Sequence, residues 1–378
     1  MSAPSQRVTQ FICCAVIWAL CLPYPASSAV PDQAQRVARV LEKVVIPGFE
    51  RLDASAAKLP PAVRAWCAAG GSSASKEQTS KAYESLVAAF GDTAEAWGGV
   101  EFFRFGPLAT KGRRERFSFW PDPRGVMARQ LRQILAAKDA ALLEPGALAK
   151  QSAAVQGLPA LEYLIVQPGS QTAQASSEED YSCQLAGAVA DNLAGLAHEI
   201  NDEWTKVGGY RQMMLDTGPD HKFYKSDTEA ASELVRSLLT GLQVVAETQV
   251  APRAPTGTAA KSRKRAKVEK PTGPFSRINA ESRFFVGQTH ALKALYDGLD
   301  LESNLAPNRQ WMKGWASGAW NAILRSDGLG GPAKGIPADA APPPQEVAGR
   351  INGLRQLIGR EMANASGIPI GFNELDGD

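Results

Sequence analysis

The chain has 378 residues, of which 44% are hydrophobic and 21% charged, with a formal net charge of +2 at neutral pH. This length is sufficient for two domains. The near-neutral balance excludes a protein whose overall charge attracts nucleic acid or a membrane surface.

The first 29 residues have the pattern of a secretory signal peptide. Arg7 is followed by the uncharged stretch "FICCAVIWALCLPYPASSA", which ends in small residues. Its apolar centre is short and is broken by prolines, so it does not have the pattern of a membrane-spanning helix. We therefore predict cleavage after Ala29 and export of the remaining chain.

Cleavage would remove three of the five cysteines and leave Cys67 and Cys183. A single pair of cysteines in an oxidising compartment predicts one disulfide. The alternative is two separate buried thiols.

The mature chain has helical patterning almost throughout. Apolar residues recur at helical spacing from Tyr83 to Phe90, from Leu185 to Ile200 and from Leu234 to Val245. Further helices are predicted near 33–57, 124–139, 281–300, 306–326 and 345–364. Since almost no segment alternates with period two, we predict an all-α fold.

The pattern is interrupted at 205–227, where glycines, a proline and mixed charges occur together. We place a domain boundary there, which gives two bundles of the four-helix type packed side by side, 30–204 and 205–378.

The C-terminal half contains a basic loop at about 251–274, and its "KSRKRAKVEK" segment carries six basic residues. Because no aromatic residues are interleaved with them, the loop is not typical of a nucleic-acid groove. We interpret it as a solvated loop, with peripheral contact to anionic lipid head groups as the alternative.

Few motifs indicate a reaction. The sequence contains no phosphate-binding glycine-rich loop, no nucleophile elbow and no cysteine pair with zinc spacing. "HEIND" at 198–202 is similar to a metalloprotease helix but ends in Asp202, and His198 falls on the helix face opposite the apolar stripe. We therefore predict that His198 is exposed and polar rather than a zinc ligand.

The stretch "GLPALEYLIV" at 157–166 places one carboxylate, Glu162, in an apolar helical run. Pro159 suits the first turn of a helix and an acid there favours the helix dipole, which is a structural explanation. Glu162 also lies on the side expected to face the core, where a buried acid requires a partner. The residues alone leave both interpretations open.

This stretch resembles the G-x-H-x-x-E signature of the imelysin family, with Gly157 and Glu162 matching and Pro159 in place of the histidine. "FRFGPL" at 103–108, "RRERFSFWPDPRG" at 113–125 and "FSRINAESRFFVGQTHALKALYDGL" at 275–299 also resemble family blocks, in the same order.

The resemblance implies two helical bundles with a site at their junction, in an exported bacterial protein of the periplasm associated with iron uptake. It also implies a metallopeptidase in which the histidine and glutamate bind metal. Pro159 has no lone pair to offer a metal, so the two-ligand site is absent. Glu162 remains a candidate metal ligand, for iron together with other oxygen donors such as Asp122.

Three hypotheses follow. The favoured one is a non-catalytic protein that binds iron, an iron complex or an envelope iron-uptake partner in a cleft around Glu162, with several arginines near it. The second is a metallopeptidase with a changed ligand set, and the third is a structural or interaction protein of the envelope. The cleft residues predicted with Glu162 are Gly157, Pro159, Arg104, Arg113, Arg114, Trp120 and Asp122.

Clustered aromatic residues at 102–120 could line a haem or siderophore pocket, but such clusters between helices are more often core. We therefore predict that these aromatic residues belong to the core: Phe102, Phe103, Phe105, Phe117, Phe119 and Trp120. Asp122 and Trp120 stand in a proline-rich turn that aims the next helix.

Overall fold

Helices form the regular structure throughout the part of the chain that the computed structural model describes. These residues are 32–70, 74–166, 180–250, 273–328, 334–337 and 342–370, and no strand occurs among them. The predicted all-α class is therefore confirmed. The predicted signal peptide and residues 251–272 of the basic loop lie outside the described residues.

The α-helices follow in chain order: α1 (Gln33–Val40), α2 (Ile46–Ala56), α3 (Leu59–Ala68), α4 (Lys76–Gly98), α5 (Arg113–Phe117), α6 (Val126–Ala137), α7 (Leu158–Ile165), α8 (Tyr181–Thr205), α9 (Tyr210–Leu215), α10 (Asp227–Val244), α11 (Glu281–Leu299), α12 (Trp311–Leu324), α13 (Pro344–Leu357) and α14 (Ala363–Ala365). Short π-helical segments at Leu41–Val45, Val245–Val250 and Ile358–Met362 continue α1, α10 and α13.

The long helices begin where local chemistry places a cap. The side chain of Ser75 accepts from the backbone N–H of Gln78, whose side chain in turn accepts from Ser75 N–H, so α4 begins with a capping box. Asp180 caps α8 and Ser226 caps α10 in the same way, through side-chain oxygens that accept backbone N–H groups.

The predicted apolar stripes form the core. In the first stripe Leu86 and Phe90 of α4 are buried, and Tyr83 and Val87 are partly buried against the core. The apolar positions of the second stripe, Leu185 to Ile200 of α8, are buried, and so are those of the third, from Leu234 in α10 to Val245 just beyond it.

Four of the six aromatic residues predicted for the core are buried: Phe102, Phe103, Phe105 and Phe117. For Phe119 and Trp120 the prediction was wrong in degree, because both are only partly buried beside the turn at Pro121. Burial of large apolar side chains of this kind is the main favourable contribution to folding.

The most extensive helix packing is that of α4 along α11. Helices α2 and α3 pack on α4, α1 and α10 pack on α11, and α8 packs against α2 and α3. The described residues form one compact unit. The division near residue 205 stays a prediction, and the α4–α11 contact joins the two predicted halves. Among the described helices, none is long and apolar enough to cross a bilayer.

A disulfide joins Cys67 of α3 to Cys183 of α8, with 5.9 Å between the Cα atoms. The predicted pairing is therefore confirmed. It links residues separated by 116 positions and fixes the N-terminal end of α8 against α3.

Candidate functional site

The helix that carries Glu162 begins against the end of α5. Gly157 is the N-cap of α7, and a Cβ atom there would lie 2.5 Å from the carbonyl oxygen of Phe117. Only glycine permits this close approach. Pro159, buried in the first turn of α7, occupies a position where the missing N–H costs nothing.

Glu162 is buried, with 3% of its side chain exposed. Within the described part of the chain, the hydrogen bonds of its carboxylate all go to one turn. Its Oε1 accepts from the backbone N–H of Arg277 at 2.8 Å and of Ile278 at 3.3 Å. Its Oε2 accepts from Arg277 Nη1 at 3.3 Å. The carboxylate therefore holds the turn at 274–279 onto α7.

Burial raises the pKa of Glu162, although the guanidinium and backbone N–H groups of Arg277 act in the opposite direction. Desolvation disfavours the charged form, and Arg277 is itself 46% exposed and so compensates only in part. Glu162 thus combines a raised pKa with three hydrogen bonds to its carboxylate.

The expected convergence of arginines on Glu162 is not formed. Arg113 is fully buried and points to α8, where its Nη2 lies 2.5 Å from Glu203 Oε1 and 2.6 Å from Glu199 Oε1. It also donates to the carbonyl oxygen of Pro107 at 2.7 Å. These bonds to Arg113 lower the pKa of both glutamates.

Three of the predicted residues share one cavity of about 250 Å³: Arg104, Arg114 and Trp120. The cavity also contains Glu101, whose buried carboxylate accepts from Arg114 Nη2 at 2.9 Å and from Gln288 Nε2 at 3.0 Å. Two guanidinium groups therefore face one carboxylate, and the charged side chains of this lining sum to +1.

Glu162 lies behind the wall of this cavity rather than in it. Pro274, the first residue of the turn that Glu162 holds, lines the cavity, and so does Ser118, which follows the Phe117 carbonyl packed against Gly157. The lining comes from both predicted halves of the chain. Gly157 and Glu162 therefore position two parts of the wall.

Asp122 is not near a metal ligand set. Its two carboxylate oxygens accept from the backbone N–H groups of Val126 and Met127, each at 2.9 Å, at the start of α6. It acts as a helix cap, consistent with the predicted role of its turn.

The described residues contain no group of three or more His, Cys, Asp or Glu side chains arranged to hold a metal ion. His198 is exposed as predicted, with its Nδ1 3.1 Å from Asp53 Oδ2. Glu162 has Arg277 rather than a second acid as its charged neighbour.

Sequence reasoning did not identify Arg277, Glu101 and Gln288. Arg277 and Gln288 stand in the 275–299 block that resembles the family, and that resemblance could have identified them as candidate site residues. Glu101 precedes the 103–108 block by two residues and has no local pattern that indicates burial.

The protein is therefore all-helical, and a buried carboxylate supports the wall of a cavity that contains two arginines. The sequence model of the imelysin family matches residues 45–306. This chain belongs to the imelysin family.

Two solved structures share the fold. An imelysin-like protein from Psychrobacter arcticum 273-4 is 16% identical with a TM-score of 0.65, and the match covers 90% of this chain and 97% of that one. A candidate iron-regulated protein A precursor from Parabacteroides distasonis ATCC 8503 is 14% identical with a TM-score of 0.57, covering 90% and 96%. A search of curated proteins found no match.

Proposed function

We propose that this imelysin-family protein is a non-catalytic periplasmic binding protein that takes a small anionic iron chelate into the cavity lined by Arg104, Arg114 and Trp120. The observation that carries the proposal is the placement of two arginines beside one carboxylate in a partly enclosed space. Arginine recognises carboxylates through paired hydrogen bonds, which suits a chelate whose outer groups are carboxylates.

The cavity size supports a small ligand. At about 250 Å³ it is smaller than the roughly 300–1,000 Å³ typical of pockets for drug-sized ligands. A haem, a large siderophore or a peptide substrate would require more space. Trp120 and the ring of Phe284 offer apolar surface beside the charged groups.

Iron and export are supported by two independent features. Ferric iron is a hard cation that oxygen-rich chelators bind, and the Parabacteroides relative of similar fold is described as an iron-regulated precursor. The pattern of residues 1–29 supports export to the periplasm. Envelope iron-uptake proteins would be the partners that deliver or receive the chelate.

In this proposal Glu162 is a positioning residue. It holds the turn that begins at Pro274 and thereby shapes the cavity wall. The metallopeptidase and purely structural alternatives stay predictions. Binding of bare zinc or ferrous ions that disappears in Glu162→Gln would support direct metal ligation instead.

The test is calorimetric titration of the chain from residue 30 with ferric citrate, citrate and ferrous ion. We expect saturable binding of ferric citrate, weakened about tenfold or more in Arg104→Gln and Arg114→Gln because each removes a charged hydrogen-bond donor. Arg129→Gln, an exposed site outside the cavity, is the matched control. Equal affinity in all four proteins, or no binding of ferric citrate, would contradict the proposal.

A further inference from the structure

A second and larger cavity of about 580 Å³ lies on a different face of the α4–α11 pair. Its walls come from the helix that runs from α1 through α2, from the C-terminal end of α4 and from α11. It shares no lining residue with the cavity assigned above. It is an open groove, and the proposed function does not use it.

Small residues along the lining leave space between the helices of the groove. Ala54, Ala96, Gly99 and Ala294 line it, and none of them projects a side chain beyond a methyl group. At Gly287 a Cβ atom would lie 1.9 Å from the carbonyl oxygen of Glu95, so this glycine allows α11 to lie directly on α4. The groove is therefore a consequence of close helix packing.

The groove is positively charged. Four cationic side chains, Lys43, Arg51, Lys58 and Arg283, face two carboxylates, Asp92 and Glu95, which leaves a formal charge of +2. Arg283 Nη2 binds both carboxylates, at 2.7 Å to Asp92 and 2.8 Å to Glu95. Lys58 also lies 3.6 Å from Asp92.

The two carboxylates are thus already paired, Asp92 with Arg283 and Lys58 and Glu95 with Arg283. Lys43 and Arg51 form no ion pair with any described residue, and both line the groove from one helix. Eight residues separate them, which corresponds to about 12 Å along a helix axis. His290 on α11 adds a further polar group to the lining.

We infer that this groove binds an elongated anion that carries several phosphate or carboxylate groups, with Lys43 and Arg51 contacting two of them. Two cations spaced along an open groove match a ligand with separated charges better than a single compact anion. The small residues of the floor leave room for the chain that connects those charges.

Calorimetric titration of the chain from residue 30 with linear tripolyphosphate, and separately with tricarballylate, tests the inference. We expect saturable binding of at least one probe, weakened about tenfold or more by K43Q combined with R51Q through loss of charged hydrogen bonds. K81Q combined with R129Q is the control, because it changes the net charge equally at exposed positions outside the groove.

A second pair of variants separates the groove from general surface attraction. Ala54→Phe narrows the groove while both cations remain, and we expect it to weaken binding as well. Ala136→Phe on α6 is its exposed control and should bind as the wild type does. The inference fails if neither probe binds, if both charge variants lose affinity equally, or if Ala54→Phe binds like Ala136→Phe. Circular dichroism of each variant confirms that it is folded.

Discussion

Two groups of ion-paired side chains in this molecule bury opposite charges. At α7 the anion is buried, because Glu162 is 3% exposed, and its partner Arg277 is 46% exposed. At α8 the cation is buried, because Arg113 is fully inaccessible while Glu199 and Glu203 are 42% and 26% exposed. The pKa of Glu162 is raised, whereas the pKa values of Glu199 and Glu203 are lowered.

The difference follows from what each buried group can do. A carboxylate can take up a proton and lose its charge, but a guanidinium cannot release one in a protein. Buried Arg113 therefore depends on its anions, whereas buried Glu162 depends more on its backbone hydrogen-bond partners. The bonds between Arg113 and the two glutamates fix α5 to α8. The Glu162–Arg277 pair fixes the turn that lines the proposed ligand cavity.

The largest effect should come from removing the anions at α8. Glu199→Gln combined with Glu203→Gln leaves a buried charge without a counter-ion, and we expect a loss of about 3–5 kcal/mol in the free energy of unfolding, measured in urea. Asp191→Asn combined with Asp202→Asn on the same helix removes two exposed surface pairs and should cost less than about 1 kcal/mol each. Similar losses in both variants would contradict the dependence of Arg113 on its anions.

Truncating the other buried group should cost less. Glu162→Ala leaves the N–H groups of Arg277 and Ile278 without their acceptor, for an expected loss of about 1–3 kcal/mol. Glu162→Gln retains an acceptor oxygen and should stay within about 1 kcal/mol of the wild type, because burial already opposes the charge. Urea unfolding of both variants measures the free energy of unfolding. If Glu162→Gln loses more than about 1 kcal/mol, the charge itself is needed for stability.

The start of α7 should be sensitive to a single methyl group. Gly157→Ala pushes a Cβ atom against the Phe117 carbonyl, and we expect a loss of about 1–3 kcal/mol. Gly187→Ala in α8 meets no atom within 4 Å and should stabilise the protein by about 0.5–1 kcal/mol. Thermal unfolding of the pair tests the close approach, which is absent if both substitutions stabilise.

The smallest effects are the two pH dependences, which have opposite signs. The raised pKa of Glu162 contributes stability that is present below its unfolded pKa of about 4.3 and is lost as pH rises through the folded pKa. The lowered pKa values of Glu199 and Glu203 contribute stability above that pH, which is lost as pH falls through their folded values.

Urea unfolding across acidic and neutral pH measures both effects as differences from the wild type. The advantage of the wild type over Glu162→Gln should shrink as pH rises, and its advantage over the α8 double variant should grow. If both free-energy differences change in the same direction with pH, the two ion-paired groups do not respond to pH in opposite ways.

Helical periodicity was sufficient to predict the all-α class and the buried stripes, because each stripe encodes its own buried face. The site was harder to predict, since Glu162 and Arg277 are 115 positions apart and nothing local pairs them. The adjacent arginines 113 and 114 leave the helix about 100° apart and bind different carboxylates, Arg113 those of α8 and Arg114 that of Glu101. The cavity was predictable in part, since Arg104, Arg114 and Trp120 do meet.

The most direct test of the central claim compares ferric citrate binding by Glu162→Gln and Arg104→Gln in the chain from residue 30. If Glu162 positions the wall and arginines bind the ligand, Glu162→Gln should keep its affinity within about threefold while Arg104→Gln loses about tenfold or more. Loss of binding in Glu162→Gln with full binding in Arg104→Gln would contradict the account and make Glu162 itself the ligand-binding group.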